Sequence, residues 1–271
     1  MKNIFLLFVI SVLFAGCSQP SREMPEWKEY FETEGFRGCA IVNYPKSDQT
    51  LYFNRNRCFW KYSPAETFDI LNSLITLQAK AIKTVNNDTL IWPGIKLEDT
   101  LWNKDQNMVS AYKNSCPWFY KEMARIIGGK QMTSYVDSID CYGTMNRVGD
   151  VETFWTDGSF EISANQQIEF LKRLYEEDLP FEKKHIKDIK DIMVNYRDDI
   201  RVLRTKLAVS HVHRVIWYIG WIEYKSVPCF FAVNLSYGKE SDSEKARLAA
   251  KRIIQKIMIK RKLIDENITW N

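Results

Sequence analysis

Residues 62–75 read YSPAETFDILNSLI, and this stretch decides how the rest of the sequence is interpreted. It predicts the start of a helix, because Ser63 is a favoured N-cap residue and Pro64 suits the first helical position. Glu66 follows Ser63 at the spacing of a capping box, and Asp69 adds an acid where the helix dipole favours one. We therefore expect both acids to cap the helix. A ligand contact or a catalytic carboxylate pair are the alternatives.

The helix that starts here is expected to run to about Lys83 and to lie inside a domain. Apolar side chains cover much of its predicted surface, which is typical of an interior helix. These side chains are Ile70, Leu71, Leu74, Ile75, Leu77 and Ala81.

The composition is that of a protein with a sizeable core. Of 271 residues, 45% are hydrophobic and 14% are aromatic, enough for one large domain or two small ones. The formal charge of +4 is mild and gives no indication of nucleic-acid binding. His211 and His213 lack an identifiable third ligand, so we expect neither a metal nor a cofactor.

The N-terminus has the pattern of a bacterial lipoprotein signal. Lys2 precedes an apolar run too short to be a mature membrane span, and Phe14-Ala15-Gly16-Cys17 resembles a lipobox. We predict a signal peptide over residues 1–17, lipidation of Cys17, a tether over 18–26 and one domain over 27–271. Ordinary secretion is the alternative. Ser18 differs from the Asp that retains lipoproteins at the inner membrane, which favours the outer membrane, facing the periplasm.

Five cysteines remain after Cys17, and two of them lie on consecutive predicted strands. An oxidising envelope permits disulfides, so Cys39 and Cys58 are the expected pair. Buried free thiols are the alternative.

The later part of the chain predicts a sheet that ends in a helix. Residues 38–44 and 50–53 form a first hairpin, and 201–209, 215–224 and 227–235 give three further strands. The C-terminal helix has a basic face, which is either solvated or in contact with anionic head groups. That face carries Lys251, Lys256, Lys260, Arg261 and Lys262.

Residues 62–75 resemble the start of the central helix in class D β-lactamases (oxacillinases) and the related β-lactam sensor domains. The family reads Pro-Ala-Ser-Thr-Phe-Lys-Ile there. Its Ser is the acylated nucleophile, and its Lys, usually carboxylated, is the general base. Glu66 stands at the Ser position and Asp69 at the Lys position.

Further segments resemble the same family in the same order, over residues 27–265. Ser115-Cys116-Pro117 is similar to its Ser-x-Val motif, and Tyr142-Gly143-Thr144 to its Tyr-Gly-Asn. The resemblance also implies a role for Trp155 beside the base, for Arg204-Thr205-Lys206 at the Lys-Thr-Gly strand, and for Arg247 at the β-lactam carboxylate. It therefore implies a ligand groove formed by Ser115, Tyr142, Gly143, Thr144, Arg204, Thr205, Lys206 and Arg247. Outside this resemblance, Ser115 could simply be the N-cap of the helix that follows Pro117.

The implied fold is α/β (α+β), with a central, mainly antiparallel sheet flanked by N- and C-terminal helices and a mostly helical region. Because Glu66, Asp69 and Lys206 all depart from the catalytic pattern, we expect a catalytically silent envelope lipoprotein. It would bind a β-lactam-like or peptidoglycan-peptide ligand, or serve a structural role. One alternative is a divergent hydrolase in which Glu66 or Asp69 activates water. Another is an unrelated envelope lipoprotein.

Overall fold

The computed structural model describes residues 21–142, 148–239, 242–266 and 268. The strands are β1 Ser21–Glu23, β2 Arg37–Tyr44, β3 Gln49–Phe53, β4 Lys61–Tyr62, β5 Ile162–Ser163, β6 Val194–Arg197, β7 Arg201–Ser210, β8 Val215–Tyr224 and β9 Val227–Ser236. The helices are α1 Lys28–Glu34, α2 Arg55–Cys58, α3 Asp69–Gln78, α4 Met108–Asn114, α5 Pro117–Ile127, α6 Gly129–Asp137, α7 Ala164–Glu176, α8 Lys183–Ile192 and α9 Ser243–Lys260. Short 3-10 turns lie at Pro25–Trp27, Pro45–Ser47, Ala65–Phe68, Thr100–Trp102 and Asp140–Tyr142.

Seven strands form the main sheet, in the order β1-β3-β2-β9-β8-β7-β6. Every neighbouring pair is antiparallel except β1 and β3, which run parallel. The predicted fold class is thus confirmed. The tether predicted for residues 18–26 is shorter in the structure, because Ser21–Glu23 already pair with β3.

Side chains of the central strands alternate between two cores, as the period of a strand requires. On β8, Trp217, Ile219 and Trp221 enter the core shared with the helical region around α3. The intervening side chains of β8 enter a second core, formed with α1 and α9. The sheet is therefore covered by helices on both faces.

Helix α3 lies at the centre of the first core, with every residue from Asp69 to Leu77 buried. It ends at Gln78, earlier than the predicted Lys83, and Lys80 adopts a left-handed conformation with φ of 59°. Within the part of the chain that the structure describes, none of the helices combines the length and the apolar character needed to cross a membrane.

The predicted disulfide between Cys39 and Cys58 is not formed. Both are buried free thiols, as are Cys116 and Cys229, while the free thiol of Cys141 is half-buried. Two effects raise the pKa of the Cys58 thiol far above its ordinary value. The larger is the hydrogen bond with Cys39, and the second is burial. Because disulfides form from the thiolate, the raised pKa slows oxidation of Cys58.

Gly220 provides a test of how closely the strands pack. It lies opposite Thr205, and a Cβ at this position would collide with the carbonyl oxygen of Arg204 on β7. Gly220→Ala should therefore lower the free energy of unfolding by about 1–3 kcal/mol, the usual cost of overpacking. Gly129→Ala is the matched control, because a Cβ there meets no atom within 4 Å among the described residues. Equal urea midpoints for the two variants would contradict this account.

Candidate functional site

Glu66 does not cap the helix. Its Oε2 accepts a hydrogen bond from the backbone amide of Val209 on β7, at 2.8 Å. The hydroxyl of Ser63 donates to the carbonyl oxygen of Trp155 at 2.7 Å, and the Ser63 amide donates to Nδ1 of His213 at 3.1 Å. Both halves of the predicted capping box are thus engaged elsewhere, and the prediction was wrong. The carboxylate of Glu66 instead binds an edge of the sheet.

The backbone before Glu66 bends sharply. Ala65 is left-handed, with φ of 48°, a conformation that is uncommon for a residue with a side chain. The Ala65 amide donates to the carbonyl oxygen of Trp155 at 2.9 Å, the same oxygen that accepts from Ser63. This shared acceptor holds the bend that leads into the 3-10 turn containing Glu66.

Asp69 forms a buried ion pair with Lys206. The side chains are each 3% exposed, and Lys206 Nζ lies 2.8 Å from Asp69 Oδ2. The same ammonium donates to the Tyr112 carbonyl at 2.8 Å and to Ser115 Oγ at 3.0 Å, and it lies 4.2 Å from the centroid of the Tyr112 ring. Lys206 is thus well satisfied. Asp69 Oδ2 has the charge contact, but no hydrogen bond of normal geometry reaches it from the described residues.

Burial raises the pKa of Asp69 to about 7, against an ordinary value of 3.8. Lys206 opposes this rise and Glu66 adds to it. Asp69 therefore changes its protonation close to neutral pH, although it is closed off from solvent.

Ser115 is placed by the junction of two helices. It ends α4 in a left-handed conformation with φ of 50°, while Cys116 is the N-cap residue of α5 and Pro117 its first residue. The alternative role of Ser115 as a helix N-cap is therefore wrong. Its hydroxyl accepts from Lys206, as a site residue would.

Arg204 is not part of the groove. Its Nε donates to the carbonyl oxygen of Lys190 at 2.8 Å, and its guanidinium forms an ion pair with Glu223 and lies over the Trp221 ring. Residues 204 and 206 share one face of β7, so the two cations are hard to tell apart by sequence. The structure assigns Lys206, which we had placed at the glycine of the strand motif, as the cation that faces Ser115.

Trp155 and Tyr142 both belong to the aromatic packing beneath the site. Trp155 stacks on Phe68 with ring centroids 5.5 Å apart, as expected for a packing role. Tyr142 contacts Phe160 and Phe170 and does not line the cavity described next, so its assignment to the groove was wrong. Gly143 and Thr144 lie outside the described residues.

A cavity of about 430 Å³ opens beside β7, between the ends of α4 and α8 and the first turns of α9. Four predicted groove residues line it, namely Ser115, Thr205, Lys206 and Arg247. Thr205 is oriented by Asn195, whose Oδ1 accepts from both its hydroxyl, at 2.8 Å, and its amide, at 3.1 Å. The sequence reasoning missed Asn195, Lys113 and Lys251 as lining residues.

The open part of the cavity is positively charged. Lys113, Arg247 and Lys251 line it together with one acid, Glu244, which pairs with Arg247 at 3.4 Å. Burial and the neighbouring Arg247 lower the pKa of Lys251, which indicates cations that are only partly neutralised. The arrangement favours a small anionic ligand.

Comparisons with known proteins agree with this geometry. Residues 37–258 match the model of the penicillin-binding protein transpeptidase domain. The chain is 32% identical to the β-lactamase OXA-20 of Pseudomonas aeruginosa over 262 residues, which cover 95% of this chain and 97% of that protein. Among solved structures, the class D β-lactamase of Sebaldella termitidis superposes with a TM-score of 0.85 and 30% identity, covering 90% of this chain and 98% of that one.

The fold places a buried central helix beside an antiparallel strand, and the family model matches most of the chain. Together these findings define a penicillin-binding transpeptidase-type domain. Within that class, the chain belongs to the family of the class D β-lactamases.

The Asp69–Lys206 pair predicts a pH dependence of stability. Because the native pKa of Asp69 is raised from 3.8 to about 7, the native state keeps a proton that the unfolded chain releases within that range. The contribution of Asp69 to stability is therefore complete below about pH 4 and is lost as the pH rises through 7. At pH 4 the free energy of unfolding of Asp69→Asn should equal that of the wild type. At pH 8 the variant should be the more stable of the two, because it has no carboxyl group that must ionise while buried.

Urea unfolding of both proteins at several pH values measures this difference. The other titratable groups are the same in both proteins, so their contributions to the pH dependence cancel. A variant that is less stable than the wild type at pH 8 would show that ionised Asp69 stabilises the fold.

Proposed function

We propose that this protein is a catalytically silent member of the class D β-lactamase family that binds an anionic ligand without forming a covalent bond. The observation that carries the proposal is the contact of Glu66 with the Val209 amide. By resemblance, Glu66 stands where the family has its nucleophile. Its carboxylate engages the strand edge beside that position, where a substrate would otherwise approach.

The remaining side chains do not supply a replacement nucleophile and base. Ser115 Oγ accepts from the Lys206 ammonium, and an ammonium cannot remove the proton of the serine. Asp69 is buried against the same ammonium instead of reaching a hydroxyl. Loss of the nucleophile alone costs about six orders of magnitude in a serine hydrolase.

The second candidate, a hydrolase that activates water with a carboxylate, has less support. The pKa of Asp69, about 7, would suit a general base. However, the Asp69 side chain is 3% exposed and paired with Lys206, and one carboxylate oxygen of Glu66 is engaged by Val209. Asp69 is therefore closed off from a substrate, and Glu66 keeps only its second carboxylate oxygen for a water.

The ligand that fits best has a carboxylate and the size of a β-lactam or a peptidoglycan stem peptide. Arg247, Lys251 and Lys113 offer it positive charge, and Thr205, Asn195 and Ser115 offer polar contacts. Such pockets combine a few polar groups with apolar walls. The relatives named above are β-lactamases, which supports a ligand of this class.

We further propose that the protein is a lipoprotein of the outer membrane, facing the periplasm, with diacylated Cys17 as its anchor. The support is the lipobox-like Phe14-Ala15-Gly16-Cys17 and the neutral Ser18 that follows it. Two acyl chains would hold the protein stably at a bilayer. The intact mass of the protein extracted from envelopes would show the lipid on Cys17 or its absence.

Incubation with excess benzylpenicillin tests the silent assignment directly. The intact mass of the mature protein should not change, and the antibiotic should remain in the same tube, because no activated nucleophile is present. An added penicilloyl group would contradict the proposal and would direct attention to Ser115. Loss of the antibiotic without an adduct, abolished in Glu66→Gln, would favour the hydrolase instead.

Glu66→Gln also tests whether Glu66 opposes ligand binding. The substitution removes a negative charge held against β7, the strand that lines the cavity through Thr205 and Lys206, and it weakens the hold on the Val209 amide. Glu66→Gln should bind benzylpenicillin, without covalent reaction, about tenfold more tightly than the wild type does. Calorimetry would measure this as a gain of about 1.4 kcal/mol in binding free energy. Glu122→Gln is the matched control, because Glu122 pairs with Arg125 on the surface of α5. Equal affinity in both variants would show that Glu66 is a purely structural residue.

A further inference from the structure

The ordered body of the protein begins very close to Cys17. Only Ser18, Gln19 and Pro20 separate Cys17 from Ser21, the first residue of β1. An extended chain spans about 3.5 Å per residue, so the four steps from Cys17 to Ser21 reach about 14 Å. Ser21 is fixed within the sheet by its pairing with Thr50. A lipid on Cys17 would therefore hold this part of the sheet next to the bilayer.

The C-terminal end of α9 lies at the same end of the molecule. Thr50 pairs with Asn43 on β2, and the turn at residues 45–48 joins the two strands just beyond. Arg261 follows α9 and donates from Nε to the hydroxyl of Tyr44 at 2.9 Å, with its guanidinium 5.1 Å from the ring centroid. Ser21 at the start of β1 and the C-terminal end of α9 thus lie at the same end of the sheet.

Four exposed cations lie here, and we call them the basic end. They are Lys46, Lys260, Arg261 and Lys262. Two exposed acids, Asp48 and Glu266, lie near them and leave the four cations in excess, whereas the nearby Asp198 and Asp265 are held by Arg201 at 2.9 and 2.6 Å. The surface that the short tether would bring to the bilayer is therefore positively charged.

We propose that the basic end binds the anionic phospholipid head groups of the bilayer that holds the lipid anchor. The domain then lies on the membrane in one orientation instead of swinging on a tether. This inference rests on the anchor at Cys17 proposed above. Basic clusters beside an anchor bind anionic lipids through their charge, within about one Debye length of the surface.

This orientation fixes how far the contact between Glu66 and Val209 lies from the bilayer. Arg201 begins β7 at the basic end, where its Nε donates to the carbonyl oxygen of Leu263 at 3.1 Å. Val209 lies eight residues further along the strand, about 26 Å away at 3.3 Å per residue. The contact between Glu66 and Val209 is therefore at the end of β7 that points away from the bilayer.

Acetylation footprinting of lysines tests the proposal. The chain from Cys17 onward, in a Cys141→Ser background because Cys141 is the half-buried thiol, is coupled through Cys17 to a maleimide lipid. It is then compared in vesicles of phosphatidylethanolamine with and without phosphatidylglycerol. Phosphatidylglycerol should reduce labelling of Lys46, Lys260 and Lys262 several-fold.

Lys61 and Lys239 are internal controls for the footprint. Both are exposed, and both lie at the opposite end of the sheet, beside the turn between β7 and β8. Their labelling should not change. Equal labelling at both ends, or protection that does not depend on phosphatidylglycerol, would overturn the proposal. Protection of the basic end without vesicles would also overturn it and would indicate a second copy of the chain.

A variant carrying Lys260→Gln, Arg261→Gln and Lys262→Gln provides the matched comparison, with Lys46 as its reporter. It should lose most of the protection at Lys46 and still fold cooperatively, with a urea midpoint lowered only by the loss of the exposed contact between Arg261 and Tyr44. Protection of Lys46 equal to that of the parent would contradict a role for these cations. Because the lipid is attached chemically, the result does not depend on whether cells lipidate Cys17. The mass of the protein extracted from envelopes tests that separate question.

Discussion

The ion pair between Asp69 and Lys206 joins the central helix α3 to strand β7, and the surrounding site depends on it. Taking two charges out of water is costly, and the attraction between them offsets that cost only with good geometry and further hydrogen bonds. Lys206 has those further bonds, to Tyr112 and Ser115, whereas Asp69 Oδ2 has only the charge contact. The two partners are therefore unequal. Lys206 organises the site, and Asp69 is the partner that a proton can neutralise.

Much of the fold follows from patterns that are local in the sequence. Alternating apolar residues give β7, β8 and β9, and the apolar surface of α3 predicts its burial. The site was less predictable, because its key contacts join residues far apart in sequence. Ser63 and Glu66 have the spacing of a capping box, yet the partner of Glu66 is an amide 143 residues away. Arg204 and Lys206 share a strand face, and their partners on other elements, such as Glu223 and Asp69, distinguish the cation that faces Ser115.

The turn that carries Glu66 and Asp69 is held by contacts of its neighbours. The aromatic packing of Phe68 and Trp155 supports the first turn, and the Trp155 carbonyl holds Ser63 and Ala65. These contacts involve no reactive group. The turn is therefore held in place by contacts that do not involve the side chains of Glu66 and Asp69.

Strand β1 has a consequence for solubility. A sheet edge exposes unpaired amides and carbonyls that can pair with another chain, and short edge strands reduce that risk. The outermost strands of this sheet are β1, with three residues, and β6, with four residues, which pairs only with the first part of β7. β1 also covers one side of the longer β3. Strand β1 thus protects this side of the sheet from edge-to-edge aggregation, so displacing it would uncover a template for self-association.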